Sequence, residues 1–175
     1  LAEYLDICAE YNVLPVIELK WATGINSNDQ SGMPALVKLI DEKGFRNKCV
    51  ILTSMKPCLE YLRTHHPDIT LQFLTNSNWA NHFDWCVEWK MDVDIQSGGF
   101  NKETVEKFHA AGLKVNVWTV NDNANYRAYA LMGCDFITTD YLNPANLPTI
   151  EIEPDPEPID LALETLWVRS VNQGN

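Results

Sequence analysis

The chain has 175 residues, 46% of them hydrophobic, which suits one domain with a sizeable core. Its formal net charge is −11 with only 13 Lys and Arg, and no basic run or basic helical face stands out, which argues against a nucleic-acid partner. No apolar run approaches the roughly 18 residues of a membrane-spanning helix, and no basic-then-apolar leader is visible. Much of the acidity is local, because "EIEPDPEPID" (151–160) holds acids and no base. Five cysteines (Cys8, Cys49, Cys58, Cys86, Cys134) are scattered and never spaced C-x-x-C. That speaks against zinc-ribbon and thioredoxin-like readings and predicts buried free thiols.

Leu1, Leu5 and Cys8, with Tyr4 and Tyr11, follow helical spacing. No capping residue precedes them, so the pattern predicts a chain that opens inside a helix. Strand candidates follow at "NVLPVIELK" (12–20), "KCVILTS" (48–54), "ITLQFLTN" (69–76), "MDVDIQ" (91–96), "KVNVWTV" (114–120) and "CDFITTD" (134–140). Between them lie amphipathic helix candidates at 33–44, 56–66, 78–90, 102–112 and 123–133. Gly44, Gly112 and Gly133 each stand where a left-handed residue should end a helix.

Strands alternating with single helices predict parallel strands joined by right-handed crossovers. An eight-stranded β/α barrel takes about 250 residues. The expected fold is therefore α/β, a parallel TIM-type barrel with strands three to eight present over residues 1–147. A doubly wound sheet competes, but no G-x-G-x-x-G or G-x-x-x-x-G-K-[ST] phosphate loop occurs. Alternating Pro and acid over 148–158 reads as a stiff linker. Residues 159–175 read as the start of a following module or tail, so both ends look cut and a C-terminal neighbouring domain is expected.

Catalytic groups of such barrels project from the C-terminal ends of the strands. In "VIELK" (16–20), Val16, Glu18 and Lys20 share one strand face and Ile17 and Leu19 the other. Burying a Glu–Lys pair for stability alone rarely recovers its solvation cost. Function at the barrel mouth is therefore the preferred reading of Glu18 and Lys20 over a self-neutralising pair. In "VWTVN" (117–121), period alone does not decide whether Trp118 lines a pocket or packs against helices. Asp140 reads more readily as a turn cap than as a site carboxylate, and Ser54 is similarly open. His65 and His66 close a helix before Pro67, while His82 and His109 fall within predicted helices away from strand ends, so none is expected to act.

Taken in order and spacing, "IELK", "ILTS", "VNVWTVN" and "GCDFITTDYLNP" resemble the glycerophosphodiester phosphodiesterase family over about residues 1–147. The resemblance implies a β/α barrel with a divalent cation, Ca²⁺ or Mg²⁺, that hydrolyses small-molecule glycerophosphodiesters to glycerol 3-phosphate and an alcohol. It implies that Glu18 is a metal ligand, that Lys20 contacts phosphate and that Trp118 lines the substrate pocket. Where the family often has Ser-Phe, this chain has Ser54-Met55. The family's His-Arg, E-x-D and further His are absent, so no catalytic residue is expected within these 175 residues and the fragment alone is expected to be inactive. The alternatives are a non-catalytic barrel-derived binding or spacer module and a related barrel phosphodiesterase acting on other phospholipid head groups. The resemblance leans toward a secreted or periplasmic compartment, which the residues themselves leave undecided.

Overall fold

The computed structural model describes residues 1–20 and 28–150. Its elements are α1 (Ala2–Glu10), β1 (Val16–Glu18), α2 (Met33–Glu42), β2 (Val50–Thr53), α3 (Lys56–His65), β3 (Thr70–Thr75), α4 (Phe83–Trp89), β4 (Asp92–Gln96), α5 (Lys102–Ala110), β5 (Val115–Trp118), α6 (Asn123–Met132) and β6 (Phe136–Ile137). All six strands are parallel, in the spatial order β1-β2-β3-β4-β5-β6. A doubly wound sheet reverses its strand order partway. This one never does, so right-handed crossovers stack the helices on one face and leave the other face open. The result is a six-stranded half-barrel, and it removes the doubly wound alternative.

The register sorts the residues. Ile17, Ile51, Leu71, Phe73, Val93, Ile95 and Val115 point to the helical layer and join Ile40, Leu59, Leu62, Cys86, Val105 and Phe108 in one continuous core. Residues of opposite parity, among them Val16, Glu18, Leu52, Leu74, Asp94, Asn116 and Trp118, line the concave face. Val16, apolar though it is, is exposed, because that face opens on a cavity rather than on packed side chains.

Strands are shorter than their hydrophobic runs predict, β1 most of all. The ladder begins at the Pro15 carbonyl, which accepts from the Val50 N–H (3.0 Å), and goes no further back, since the Pro15 nitrogen has no hydrogen to donate. The predicted helix over 78–90 divides into a 3₁₀ turn at Trp79–His82 and α4, which Lys90 ends in the left-handed conformation (φ 51°). Gly44, Gly112 and Gly133 take positive φ as expected. Asn101 caps α5 in a reciprocal box with Thr104, and Asp122 caps α6 by accepting from the Asn125 N–H.

Arg63 ties the helical layer together, donating to the carbonyls of Trp89 (3.1 Å), Lys90 (2.7 Å) and Pro67 (2.9 Å). Cys8, Cys49, Cys58 and Cys86 are buried free thiols, as expected, and Cys134 is a half-buried one. Burial pushes Cys49 up to about 11, and Cys86 and Cys134 to about 12, so none is a ready nucleophile. No helix among the described residues is long and apolar enough to cross a membrane. The linker from residue 151 onward and the tail at 159–175 lie outside the described residues.

Candidate functional site

Strand alternation brings Glu18, Lys20 and Trp118 to one cavity of about 760 Å³ at the concave face. Glu18 closes β1, and Lys20 lies two residues past it. Their charged groups meet at 3.2 Å, with Lys20 mostly in solvent and Glu18 about one-third exposed. Such an exposed pair adds at most about 1 kcal/mol to stability. The pair is therefore available to other partners rather than locked into the fold. Trp118 faces the cavity, which decides the face that strand period left open. Its indole N–H donates to the Thr75 carbonyl (3.1 Å), laying the ring across the end of β3.

Beneath these three lies a row of polar side chains that the sequence reading passed over. Gln72, Asp94 and Asn116 are almost fully buried on consecutive strands β3, β4 and β5. The Asn116 amide donates to Gln72 Oε1 (3.1 Å), and the Thr138 hydroxyl donates to Asn116 Oδ1 (3.2 Å). Among the described residues, two atoms of the row have no hydrogen-bond partner, Gln72 Nε2 and Asp94 Oδ1. Asp94 and Asn116 both line the cavity. Burial, and then the nearby Glu18 carboxylate, push the Asp94 carboxyl up to about 7. The signal for this row was present in the sequence. Each residue is a lone polar group between apolar ones ("TLQFLT", "DVDIQ", "VNVW"), at the parity that places Glu18 inward on β1.

Asp140 lines the same cavity, and its role divides. Its carboxylate accepts from the Asn121 amide (2.8 Å) and its N–H donates to Asn121 Oδ1 (3.0 Å). The turn it was expected to cap is held by its neighbour: Thr139 Oγ1 accepts from the N–H groups of Tyr141 (3.4 Å) and Leu142 (3.1 Å). Ser54 lies outside the mouth, in an adjoining hollow. His65 stacks on Tyr61, and His109 pairs with Asp135 at 2.8 Å, both away from the cavity. His82 departs from expectation. It ends the 3₁₀ turn that follows β3 and lines the adjoining hollow beside Trp118, because the chain turns back across the strand ends before α4 begins.

A parallel half-barrel whose strand ends carry an acid, a lysine and an indole around one cavity belongs to the class of β/α-barrel proteins. The chain is, more narrowly, a member of the Glycerophosphoryl diester phosphodiesterase family, whose pattern it matches over residues 1–143. Solved structures share the fold. One is a protein from Silicibacter pomeroyi DSS-3 assigned as a glycerophosphoryl diester phosphodiesterase. It is 24% identical with a TM-score of 0.69, over 81% of this chain and 52% of that one. Another is an Oleispira antarctica phosphodiesterase in complex with sn-glycerol-3-phosphate, 19% identical with a TM-score of 0.71, over 81% of this chain and 57% of that one. The chain thus spans little more than half the length of these relatives. No curated protein matches it by sequence.

Proposed function

We propose that this chain forms the greater part of a barrel that hydrolyses glycerophosphodiesters to glycerol 3-phosphate and an alcohol with the help of Ca²⁺ or Mg²⁺. The observation that carries the reading is the convergence of Glu18, Lys20 and Trp118 on one cavity in a member of this family. The Oleispira antarctica phosphodiesterase of the same fold holds the product expected here.

The donor set fits a hard cation in kind. Glu18 offers carboxylate oxygens, and Asp94 leaves an oxygen unpartnered on the same cavity wall. Among the described residues no group of three or more ligating side chains gathers at one point. In this reading, further oxygens come from substrate and water. A bound divalent cation polarises a phosphoryl oxygen and offsets the charge that builds on it.

The chain's own residues then bind and orient. With Glu18 holding such a cation, the Lys20 ammonium would be free for a phosphate oxygen, exchanging one partner for another rather than being stripped of its charge. Trp118, fixed by Thr75, gives the glycerol arm a flat wall. None of the chain's four histidines lines this cavity. The reading accordingly takes its acid and base groups from a preceding segment of the intact protein and expects no turnover by these 175 residues alone.

The test is Glu18→Gln in the full-length protein. Metal-dependent hydrolysis of glycerophosphocholine should fall roughly 100-fold or more, since a ligand is lost without a change of shape. Turnover at the parent rate would remove the proposal.

A further inference from the structure

The loops after β2 and β3 enclose a second hollow, of about 470 Å³, that shares Leu74 and Trp118 with the mouth as a common wall. The two spaces differ sharply in charge. Glu18, Asp94 and Asp140 line the mouth, whereas among the described residues no carboxylate lines the hollow, in a chain of net charge −11.

The hollow's polar groups are donors. Lys56 opens α3 and makes no ion pair among the described residues. Its ammonium lies 4.2 Å from the ring centre of Trp85 and 5.3 Å from that of Phe73. Asn78 Oδ1 already accepts from the Thr75 hydroxyl (3.0 Å), and Asn76 Oδ1 from the Asn78 N–H (3.2 Å). Each amide oxygen therefore has a donor already, while both NH₂ groups are unused among the described residues. The Ser54 hydroxyl is exposed and unpaired among the described residues. His82 packs edge-on against Phe73, and burial, then Lys56, lower its pKa, so near neutrality it is an uncharged ring with one N–H to give.

A space with one unpaired ammonium, several unused donors and no acid suits an anion. It does not suit a quaternary ammonium. The ring faces of Phe73 and Trp85 that could cradle one already hold the ammonium of Lys56, and like charges repel.

We infer that this hollow is an anion subsite adjoining the mouth, where Lys56 with Ser54, Asn76 and Asn78 receives a phosphate or similar group on the alcohol arm of the diester, in preference to a choline arm. The assignment to the alcohol arm rests on the proposed hydrolysis; anion binding does not.

The experiment therefore has two arms, both on the full-length protein. In EDTA, inorganic phosphate is titrated while NMR follows the Trp118 indole and the His82 ring. Phosphate should shift both signals and choline neither. Its Kd should weaken about tenfold in Lys56→Met, and likewise in Asn78→Asp, which keeps the oxygen that serves Thr75 and adds a charge. No shift with phosphate, or an unchanged Kd in both variants, overturns the subsite. In the second arm, kcat/KM is compared for glycerophosphoinositol phosphate and glycerophosphocholine. The ratio should fall about tenfold in Lys56→Met, and an unchanged ratio overturns the alcohol-arm assignment. Phosphate binding at the hollow without turnover of any diester supports the subsite and sinks the hydrolase reading alone.

Discussion

Asp94→Asn should make the stability of this protein less sensitive to pH, in a direction fixed by the site. Burial and Glu18 raise the Asp94 carboxyl to about 7 from an ordinary value of 3.8. Between those two pH values the unfolded chain has lost the proton and the folded chain still holds it. The folded state then binds one more proton, so stability falls by about 1.4 kcal/mol per pH unit as pH rises. Below pH 4 both states are protonated and the full stability is present; above about 7 both are ionised and the loss is complete. Over the window the loss sums to about 4 kcal/mol. Asparagine keeps the shape and cannot ionise, so the variant should escape this loss. Urea unfolding in EDTA at half-unit steps from pH 4.5 to 8.5 gives the difference between variant and parent. That difference should climb in the variant's favour at about 1.4 kcal/mol per unit and level off near pH 7. A difference that stays flat across the range would show that Asp94 is not a buried, proton-holding acid, and the polar floor would need a different account.

Two structural predictions follow from hydrogen bonds that link elements far apart in sequence. Arg63→Met should destabilise by about 2–3 kcal/mol, because the carbonyls of Trp89 and Lys90 at the end of α4 lose a charged donor; a shift of less than 0.5 kcal/mol in urea midpoint analysis would contradict this. Asn121→Ala should cost about 1–2 kcal/mol and speed amide exchange at Asp140, since Asn121 joins the segment after β5 to Thr139 and Asp140 by three hydrogen bonds. Unchanged exchange there would mean the turn is held by Thr139 alone.

Fold class was legible because the helix–strand alternation is regular and Gly44, Gly112 and Gly133 mark where three of the helices end. The six strands were found in order, and so was the pairing of Glu18 with Lys20 on one face, which needs only a period of two. Strand limits were less legible. Apolar residues such as Val13 and Leu14 extend the pattern beyond the ladder, yet both are exposed, because Pro15 cannot donate and pairing starts at its carbonyl. Trp118 could not be assigned a face from sequence, since "VNVWTV" offers an apolar residue at either parity near its end. Pairing fixes it: Trp118 stands opposite Gln96, in line with the inward parity of Asp94 and Asn116.

Gln72, Asp94 and Asn116 show a different kind of blindness. Taken strand by strand, each is an isolated polar residue with an ordinary surface explanation. Register places all three at inward parity on adjacent strands and turns three exceptions into one polar row, two atoms of which have no partner among the described residues. Desolvation gives that row its meaning. A buried donor or acceptor left unpaired costs about 1–3 kcal/mol, and a single apolar substitution at Asp94 would remove that cost while keeping the sheet, whereas one at Gln72 would orphan the buried Asn116 amide in its place. A fold shaped by packing alone has no reason to carry Gln72 Nε2 and Asp94 Oδ1. Their place under the cavity that Glu18, Lys20 and Trp118 share makes the strain a property of the site, to be relieved by whatever ligand or segment comes to lie over it.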